Sequence, residues 1–245
     1  MQTVTFREVF DDILNMAGFE PATITNIDQK PYNILASFIE HRTREAIDLT
    51  RWREWMVCEQ RTADANGLIS YAQNGKNRIA WVEGVYANDP TAAQTSAVMP
   101  GPKPFIAVDD GVRVYQGESS TFWVLYKRAA PRFTTRYYQE APNTYQVGDV
   151  VYWPNTANTQ LAGNCYEARL QANGSDFFWD AQLLLRCWKP WLVNACFSDW
   201  LMFNGQRERA IQHRTDMAYP ELNRAAAQNS NVQGTPAMAR VVVVT

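Results

Sequence analysis

The hydrophobic positions near the start of the chain recur with the spacing of an α-helix. They follow the i, i+3, i+4, i+7, i+8 pattern of a single apolar stripe: Phe6, Val9, Phe10, Ile13 and Leu14. Thr5 followed three residues later by Glu8 predicts a capping box at the beginning of this helix. Gly18 is a suitable residue to end it, because glycine adopts the left-handed conformation that closes many helices.

A second helical pattern begins at Pro31, a residue type favoured in the first turn, and runs to about Trp52–Trp55. Its stripe contains one charged residue among apolar ones: Ile34, Leu35, Phe38, Ile39, Arg42, Ala46 and Leu49. The opposite face carries mixed charges. These two helices can pair only if their stripes meet each other or a third helix.

Helical periodicity returns near the C-terminus, again after a proline, Pro190. The stripe comprises Trp191, Leu192, Ala195, Cys196, Trp200 and Phe203. Helical composition then continues to Ala227; Gly205 either interrupts the helix or is tolerated, at about 1 kcal/mol, and Pro220 is expected to kink or divide it.

Between these zones, short β-rich runs alternate with turn signals. The predicted strands are Met56–Thr62, Leu68–Ala72, Arg78–Tyr86, Val112–Tyr115, Thr121–Lys127, Asp149–Trp153 and Cys165–Leu170. Asn66-Gly67 and Asp110-Gly111 are two of several dipeptides typical of hairpins. Many short strands at regular spacing indicate an antiparallel sandwich or a small barrel.

The pattern as a whole predicts an α+β fold, in which N- and C-terminal segments form one helical bundle and an antiparallel β domain is inserted between them. The expected boundaries are 1–55 for the N-terminal helices, 56–180 for the β domain, 188–227 for the C-terminal helices and 228–245 for an extended arm.

The arm ends in the segment with the highest β propensity, Arg240, Val241, Val242, Val243 and Val244. Four consecutive valines without a charge between them would aggregate if left uncovered. The segment must therefore be covered either by a sheet of its own chain or by a strand edge or groove of another molecule. We predict these five residues to be partner-binding.

Charge, hydropathy and cysteine spacing argue against several classes of function. The formal net charge is −2, which argues against non-specific nucleic-acid binding. The chain has no apolar run long enough for a membrane helix and no signal-peptide pattern, so we expect a protein made in a cytoplasm, with no membrane partner. The four cysteines form no Cys-x-x-Cys pair and are expected to be reduced and mostly buried.

No catalytic motif is present: neither phosphate-binding glycine loop nor nucleophile elbow occurs. His41 and His213 are expected on helix surfaces, and Glu40, His41 and Glu45 give only a weak version of metal-ligand spacing. We therefore predict no catalytic, cofactor-binding or metal-binding residues, no cofactor, and a protein that is not an enzyme.

The chain contains nine tryptophans, and several lie where the predicted zones join. One interpretation is a hydrophobic seam that holds the β domain on the bundle. Another is that some anchor an intersubunit interface, for which the candidates are Trp52, Trp55, Trp188, Trp191 and Trp200. A third is a platform for stacking sugars.

A short segment resembles the chitin-binding type of β module. Tyr145-x-x-Gly148-Asp149-x-Val151, followed by Cys165-Tyr166-x-Ala168, matches its strand pair over about 25 residues. The segment between the strands is longer here than in that module. The resemblance implies carbohydrate binding.

A wider resemblance covers both helical ends, about 90 residues. The helix Phe38–Trp55 and the segment Asp199-Trp200-Leu201-Met202, Gly205-Gln206-x-Glu208-Arg209-Ala210 and its continuation to Leu222 resemble head-to-tail connector, or adaptor, proteins of tailed phages. It implies a virion protein at the head–tail junction that forms a ring, typically a dodecamer. The implied partners are the portal, onto which the C-terminal arm docks, a downstream tail or nozzle protein, and double-stranded DNA passing without sequence specificity.

Three alternatives remain open. The chain could be a carbohydrate-binding module on a virion or cell surface, or a tail-completion or tail-tube protein. A glycan hydrolase would need two carboxyl groups about 5–9 Å apart in a cleft.

Overall fold

A computed structural model of the 245-residue chain describes residues 3–20, 30–72, 78–90, 101–115, 121–130, 132–137, 149–152, 165–170, 177–181, 184–232 and 242–243. The chain divides into two compact units. The helical unit comprises Met1–Thr50 and Pro131–Val232, and the β unit comprises Arg51–Ala130 and Gln233–Thr245.

The helices are α1 (Phe6–Met16), α2 (Tyr32–Leu49), α3 (Lys189–Phe203), α4 (Arg207–His213) and α5 (Tyr219–Val232). The strands are β1 (Thr3–Val4), β2 (Met56–Thr62), β3 (Leu68–Ser70), β4 (Ile79–Tyr86), β5 (Phe105–Val108), β6 (Gly111–Val114), β7 (Thr121–Arg128), β8 (Arg132–Tyr137), β9 (Asp149–Tyr152), β10 (Cys165–Leu170), β11 (Phe177–Ala181), β12 (Leu184–Leu185) and β13 (Val242–Val243). Helices and mostly antiparallel sheets occur together, so the α+β class predicted from the sequence is confirmed.

Helix α1 begins and ends as its sequence predicts. The Thr5 hydroxyl accepts a hydrogen bond from the Glu8 amide, and the Glu8 carboxylate accepts one from the Thr5 amide. At the other end Gly18 has a φ of 82°, and the Gly18 and Phe19 amides donate to the carbonyls of Asn15 and Leu14. All five residues of the predicted stripe are buried.

Helices from both ends of the chain pack together within the helical unit. Helices α1 and α2 both lie against α3, and α3 also contacts α4 and α5. The stripe of α2 differs in part from the prediction, because Leu49 is half exposed while Ala36, Thr43 and Ile47 are buried. Joining the ends in this way satisfies the requirement that each amphipathic helix bury its apolar face.

The C-terminal helices resolve two questions that the sequence left open. Gly205, with a φ of 76°, ends α3, and the Gly205 and Gln206 amides donate to the carbonyls of Met202 and Leu201. Pro220 does not divide the helix that follows. A π-helical turn over Arg214–Ala218 joins α4 to α5, and this wider turn accommodates a residue that lacks an amide donor.

The helical unit also contains a four-stranded sheet in the order β11-β10-β9-β8 and the short pair β1-β12. Strands β9, β10 and β11 are antiparallel to their neighbours, whereas β8 runs parallel to β9. The Phe6 ring of α1 stacks on Phe10 and meets the Tyr152 ring of β9 edge-on at 6.5 Å.

The β unit consists of two sheets around one hydrophobic core. One sheet has the order β13-β2-β7-β4 and the other β3-β6-β5. The core comprises Val57, Ala63, Ile69, Ile79, Val82, Val85, Val112, Val114, Phe122, Val124 and Tyr126. Two stacked sheets with a shared core are the arrangement of a β-sandwich.

The boundaries differ from those expected. The unit inserted between the helices spans residues 51–130 rather than 56–180, and strands β8 to β12 belong to the helical unit. Helix α5 continues to Val232, so the arm begins about five residues later than residue 228. The hydrophobic spacing could not reveal this, because β strands look alike in sequence whichever unit they join.

Candidate functional site

The C-terminal strand β13 lies along the edge of β2. It runs parallel to β2, with Val242 opposite Val57 and Val243 opposite Cys58. These residues adopt the first of the two forms of cover predicted for the valine run, a sheet of the same chain. Arg240, Val241 and Val244 lie outside the described residues, so the partner-binding role assigned to the five residues stays a prediction.

This contact is made by the backbone and is small. Strand β13 spans two of the seven residues of β2. Hydrogen bonds between main-chain groups do not depend on the identity of the side chains, and strand addition at a sheet edge is a common way in which one chain binds another. The edge of β2 is therefore a place where a strand of this or of another molecule can bind.

A buried polar network holds β2 on its other neighbour, β7. The Arg61 Nη2 donates to the Glu59 Oε1 over 2.6 Å, and the Tyr126 hydroxyl donates to the same oxygen over 2.6 Å. The Arg61 and Glu59 side chains are 0% and 3% exposed. Burial is the largest cause of the raised pKa of Tyr126; the Arg61 charge lowers this pKa and the Glu59 charge raises it. The hydroxyl therefore stays protonated and remains a donor. The network fixes the register of β2 against β7 and thereby positions the edge that receives β13.

Cys58, opposite Val243 in this register, is fully buried. Burial raises the pKa of the Cys58 thiol to about 12, with smaller contributions from Asp89 and Glu59. A thiol of this kind is neither a nucleophile nor a metal ligand at neutral pH, since both roles require the thiolate. All four cysteines are reduced, and three of them are buried, as predicted.

In the helical unit, three charged side chains join α2, α3 and the π-helical turn. Asp199 accepts from the Nε and Nη2 of Arg42 over 2.7 and 2.6 Å, and from the Nη2 of Arg214 over 2.5 Å. Arg42 also donates to Glu45. The hydrogen bonds to Asp199 are the largest cause of a raised pKa for Arg42, which therefore stays charged. The signal in the sequence was the charged residue Arg42 on an otherwise apolar stripe, but its partners could not be identified from spacing.

Arg42, Asp199 and Arg214 line a surface cavity of about 620 Å³. Its lining residues are Ser37, Phe38, His41, Arg42, Asp199, Met202, Phe203 and Arg214. Phe203 is 57% exposed and stacks on the half-buried Trp200. Further large apolar side chains are exposed on the succeeding helices: Ile211, Met217 and Tyr219. Helices α3, α4 and α5 and the π-helical turn thus each carry at least one large apolar side chain that is exposed to solvent.

The two histidines have different surroundings. His41 is exposed on α2, as predicted, beside Glu40, which pairs with Arg44 over 2.8 Å. His213 lies 3.0 Å from the Asn194 Oδ1 through its Nε2 and meets the Phe197 ring edge-on. Burial lowers the pKa of His213. Within the described ranges, no group of three or more His, Cys, Asp or Glu side chains is placed to hold a metal ion.

Four of the five tryptophans considered as interface anchors are buried inside the chain: Trp52, Trp55, Trp188 and Trp191. In this conformation they are core residues and cannot reach a second molecule. Trp200 is half-buried. Trp81 is an exposed tryptophan that the sequence analysis did not single out. Its ring lies 4.2 Å from the Arg51 guanidinium, which in turn pairs with Glu83 over 2.5 Å.

The segment that resembles a carbohydrate-binding module lies in the sheet of the helical unit. Strands β9 and β10 pair with Tyr166 opposite Val151, and both side chains are buried, as is Ala168. Tyr145, Gly148 and the segment from Trp153 to Gly163 lie outside the described residues. The described part of the motif therefore acts as core, and it offers no exposed aromatic ring for a sugar.

No protein-family model matches this chain, and a search of curated proteins finds no match. Among the described residues, every helix is too short or too polar to span a lipid bilayer. The edge of β2 and the exposed apolar side chains of the C-terminal helices are the features of this structure that could bind another molecule.

Proposed function

We propose that this chain is a structural virion protein, a head-to-tail adaptor that forms a ring beneath the portal and extends the channel through which DNA passes. The single observation that carries the proposal is the seating of the C-terminal strand on the β2 edge through two residues of parallel pairing. In the single chain this strand covers its own β2 edge; because the pairing uses backbone groups, the same strand can instead bind the β2 edge of another subunit.

Two further observations support a subunit of a larger assembly. The helices of both chain ends pack into one unit, and the β unit is inserted between them in the sequence, which is the organisation that the resemblance to adaptors implies. The C-terminal helices expose Met202, Phe203, Ile211, Met217 and Tyr219. Large apolar side chains exposed on successive helices are more stable in contact with another protein than in water.

The charge is compatible with a DNA channel. With 23 basic and 25 acidic residues, the chain has no excess of positive charge that would hold DNA through its phosphates. A conduit must let DNA slide, so a near-neutral subunit fits this role better than a basic one.

The test is the mass of the purified chain, measured by light scattering alone and mixed with the portal protein encoded in the same viral genome. We expect a ring, alone or on the portal, that co-elutes with portal. A chain truncated after Val232, where α5 ends, should keep the circular dichroism of the folded helices and lose this assembly. A chain that stays monomeric in both conditions, or a truncated chain that assembles normally, would contradict the proposal.

A further inference from the structure

We infer that the C-terminal strand is exchanged between copies: in the assembled ring, residues 242–243 of each subunit pair with β2 of the next subunit. This inference rests on the proposed ring and names the partner of the C-terminal strand. The occupant of the β2 edge is then a second copy of the same chain.

The first support is that the C-terminal strand β13 and the edge of β2 are complementary. Val242 and Val243 align with Val57 and Cys58 through parallel backbone pairing. The same backbone hydrogen bonds can form between two copies, because an exchanged strand makes in the neighbouring subunit the contacts that it otherwise makes in its own chain. No other receptor is needed for a segment that must be covered.

The second support is reach. Helix α5 ends at Val232 in the helical unit, and β13 begins at Val242 in the β unit, so residues 233–241 connect them. Nine residues span up to about 30 Å when extended. This distance is comparable with the diameter of a small domain, which is enough to reach an adjacent subunit.

The third support is stoichiometry. Each copy carries one C-terminal strand and one β2 edge, so a closed ring in which each strand moves to the next copy leaves no strand or edge uncovered. A head-to-tail contact of this kind closes into a ring when the rotation between subunits allows it. If the strands docked on the portal instead, every β2 edge in the ring would lose its strand.

Exchange requires a second contact between copies. Within one chain, a short connection keeps the strand at an effective concentration in the millimolar range near its own edge. Isolated copies therefore keep the strand on their own β2. Subunits held together by other surfaces, such as the apolar side chains of the C-terminal helices, can exchange it at little net cost.

The register supplies a direct test. Val243→Cys places a thiol opposite the native Cys58, and directly paired residues of neighbouring strands lie within the Cα separation that a disulfide needs. The variant is oxidised with a copper–phenanthroline catalyst, both as dilute monomer and as assembled ring, and is analysed on a denaturing, non-reducing gel. Each disulfide releases two electrons and two protons, which the copper complex passes to dissolved oxygen. The incubation is run at alkaline pH because burial raises the pKa of the Cys58 thiol.

We expect an intrachain disulfide in the dilute protein and a ladder of covalently linked chains in the ring. Two controls should give no ladder: Val243→Cys combined with Cys58→Ser, and Val242→Cys, which lies opposite Val57. Reduced samples should retain the circular dichroism of the parent protein.

The outcomes separate the two proposals. A ring in which only intrachain disulfides form, or in which Val243→Cys forms none, overturns strand exchange and leaves the adaptor function standing. If β2 loses its strand to the portal, Val243→Cys will link to neither copy, which also overturns exchange. A protein that is monomeric even with portal overturns both.

Discussion

Replacing Asp199 by alanine should destabilise the helical unit more than any single surface charge does. Its carboxylate accepts three hydrogen bonds, two from Arg42 and one from Arg214, and it thereby ties α3 to α2 and to the π-helical turn. The side chains of Arg42 and Asp199 are only 11% and 12% exposed. Removing the carboxylate leaves the largely buried Arg42 guanidinium with Glu45 as its remaining acidic partner.

The expected loss follows from this burial. Removing one partner of a buried ion pair costs about 3–5 kcal/mol, because the remaining charge is no longer compensated. The pair keeps some access to water and Glu45 remains, so we expect the lower end, about 3 kcal/mol. For a unit of this size that corresponds to a fall of roughly 6–12 °C in Tm.

The assay is thermal and urea unfolding followed by far-ultraviolet circular dichroism, since all five described helices lie in the helical unit. Glu40→Ala is the matched control: it breaks the exposed pair with Arg44 and should change the free energy of unfolding by no more than about 0.5 kcal/mol. Replacing the pair together, as Arg42→Met with Asp199→Leu, should recover part of the loss. An Asp199→Ala variant as stable as Glu40→Ala would refute the reasoning.

Two further predictions concern the thiols and a glycine. In the native protein at pH 8, Ellman's reagent should react with Cys187 well before Cys58, because Cys58 is fully buried and burial raises the pKa of its thiol. The rate at Cys58 should rise with pH while the fold persists, and a fast reaction that survives Cys187→Ser would contradict this. Gly111→Ala should destabilise the β unit by more than about 2 kcal/mol, because the added Cβ would lie 2.2 Å from the Ile69 carbonyl oxygen. In Gly205→Ala the added Cβ meets no atom within 4 Å, so this variant should lose only about 1 kcal/mol through left-handed backbone strain. Equal losses for the two variants in urea unfolding would show that the close approach at Gly111 does not limit stability.

The local sequence was sufficient to predict helix ends and strands whose patterns span only a few residues. The capping box at Thr5, the glycine stop at Gly18, and the strands Met56–Thr62 and Cys165–Leu170 all occur where the pattern predicts them. These features depend on backbone geometry and on side chains three or four positions apart, so the information for them is local. The α+β class follows from the same periodicities.

Tertiary structure decided which strands pair. Asp110-Gly111 lies at the turn of the β5–β6 hairpin, as this dipeptide predicts. Asn66-Gly67 also forms a turn, with Gly67 at a φ of 72°, but the strands that it connects lie in different sheets: β2 pairs with β7, and β3 with β6. A turn signal specifies a reversal of the chain, whereas pairing depends on distant residues that bury a common core.

The two features most relevant to the proposals, the terminal valines and the Arg42–Asp199 ion pair, also depend partly on local sequence and partly on tertiary packing. The sequence alone required the terminal valines to be covered, because a bare apolar β segment is unstable in water. It could not identify the β2 edge as the cover, nor join Arg42 to Asp199 across 157 residues of chain. Those contacts arise only when packing brings distant segments together, since hydrogen bonds and ion pairs act over a few ångströms of space and not along the sequence.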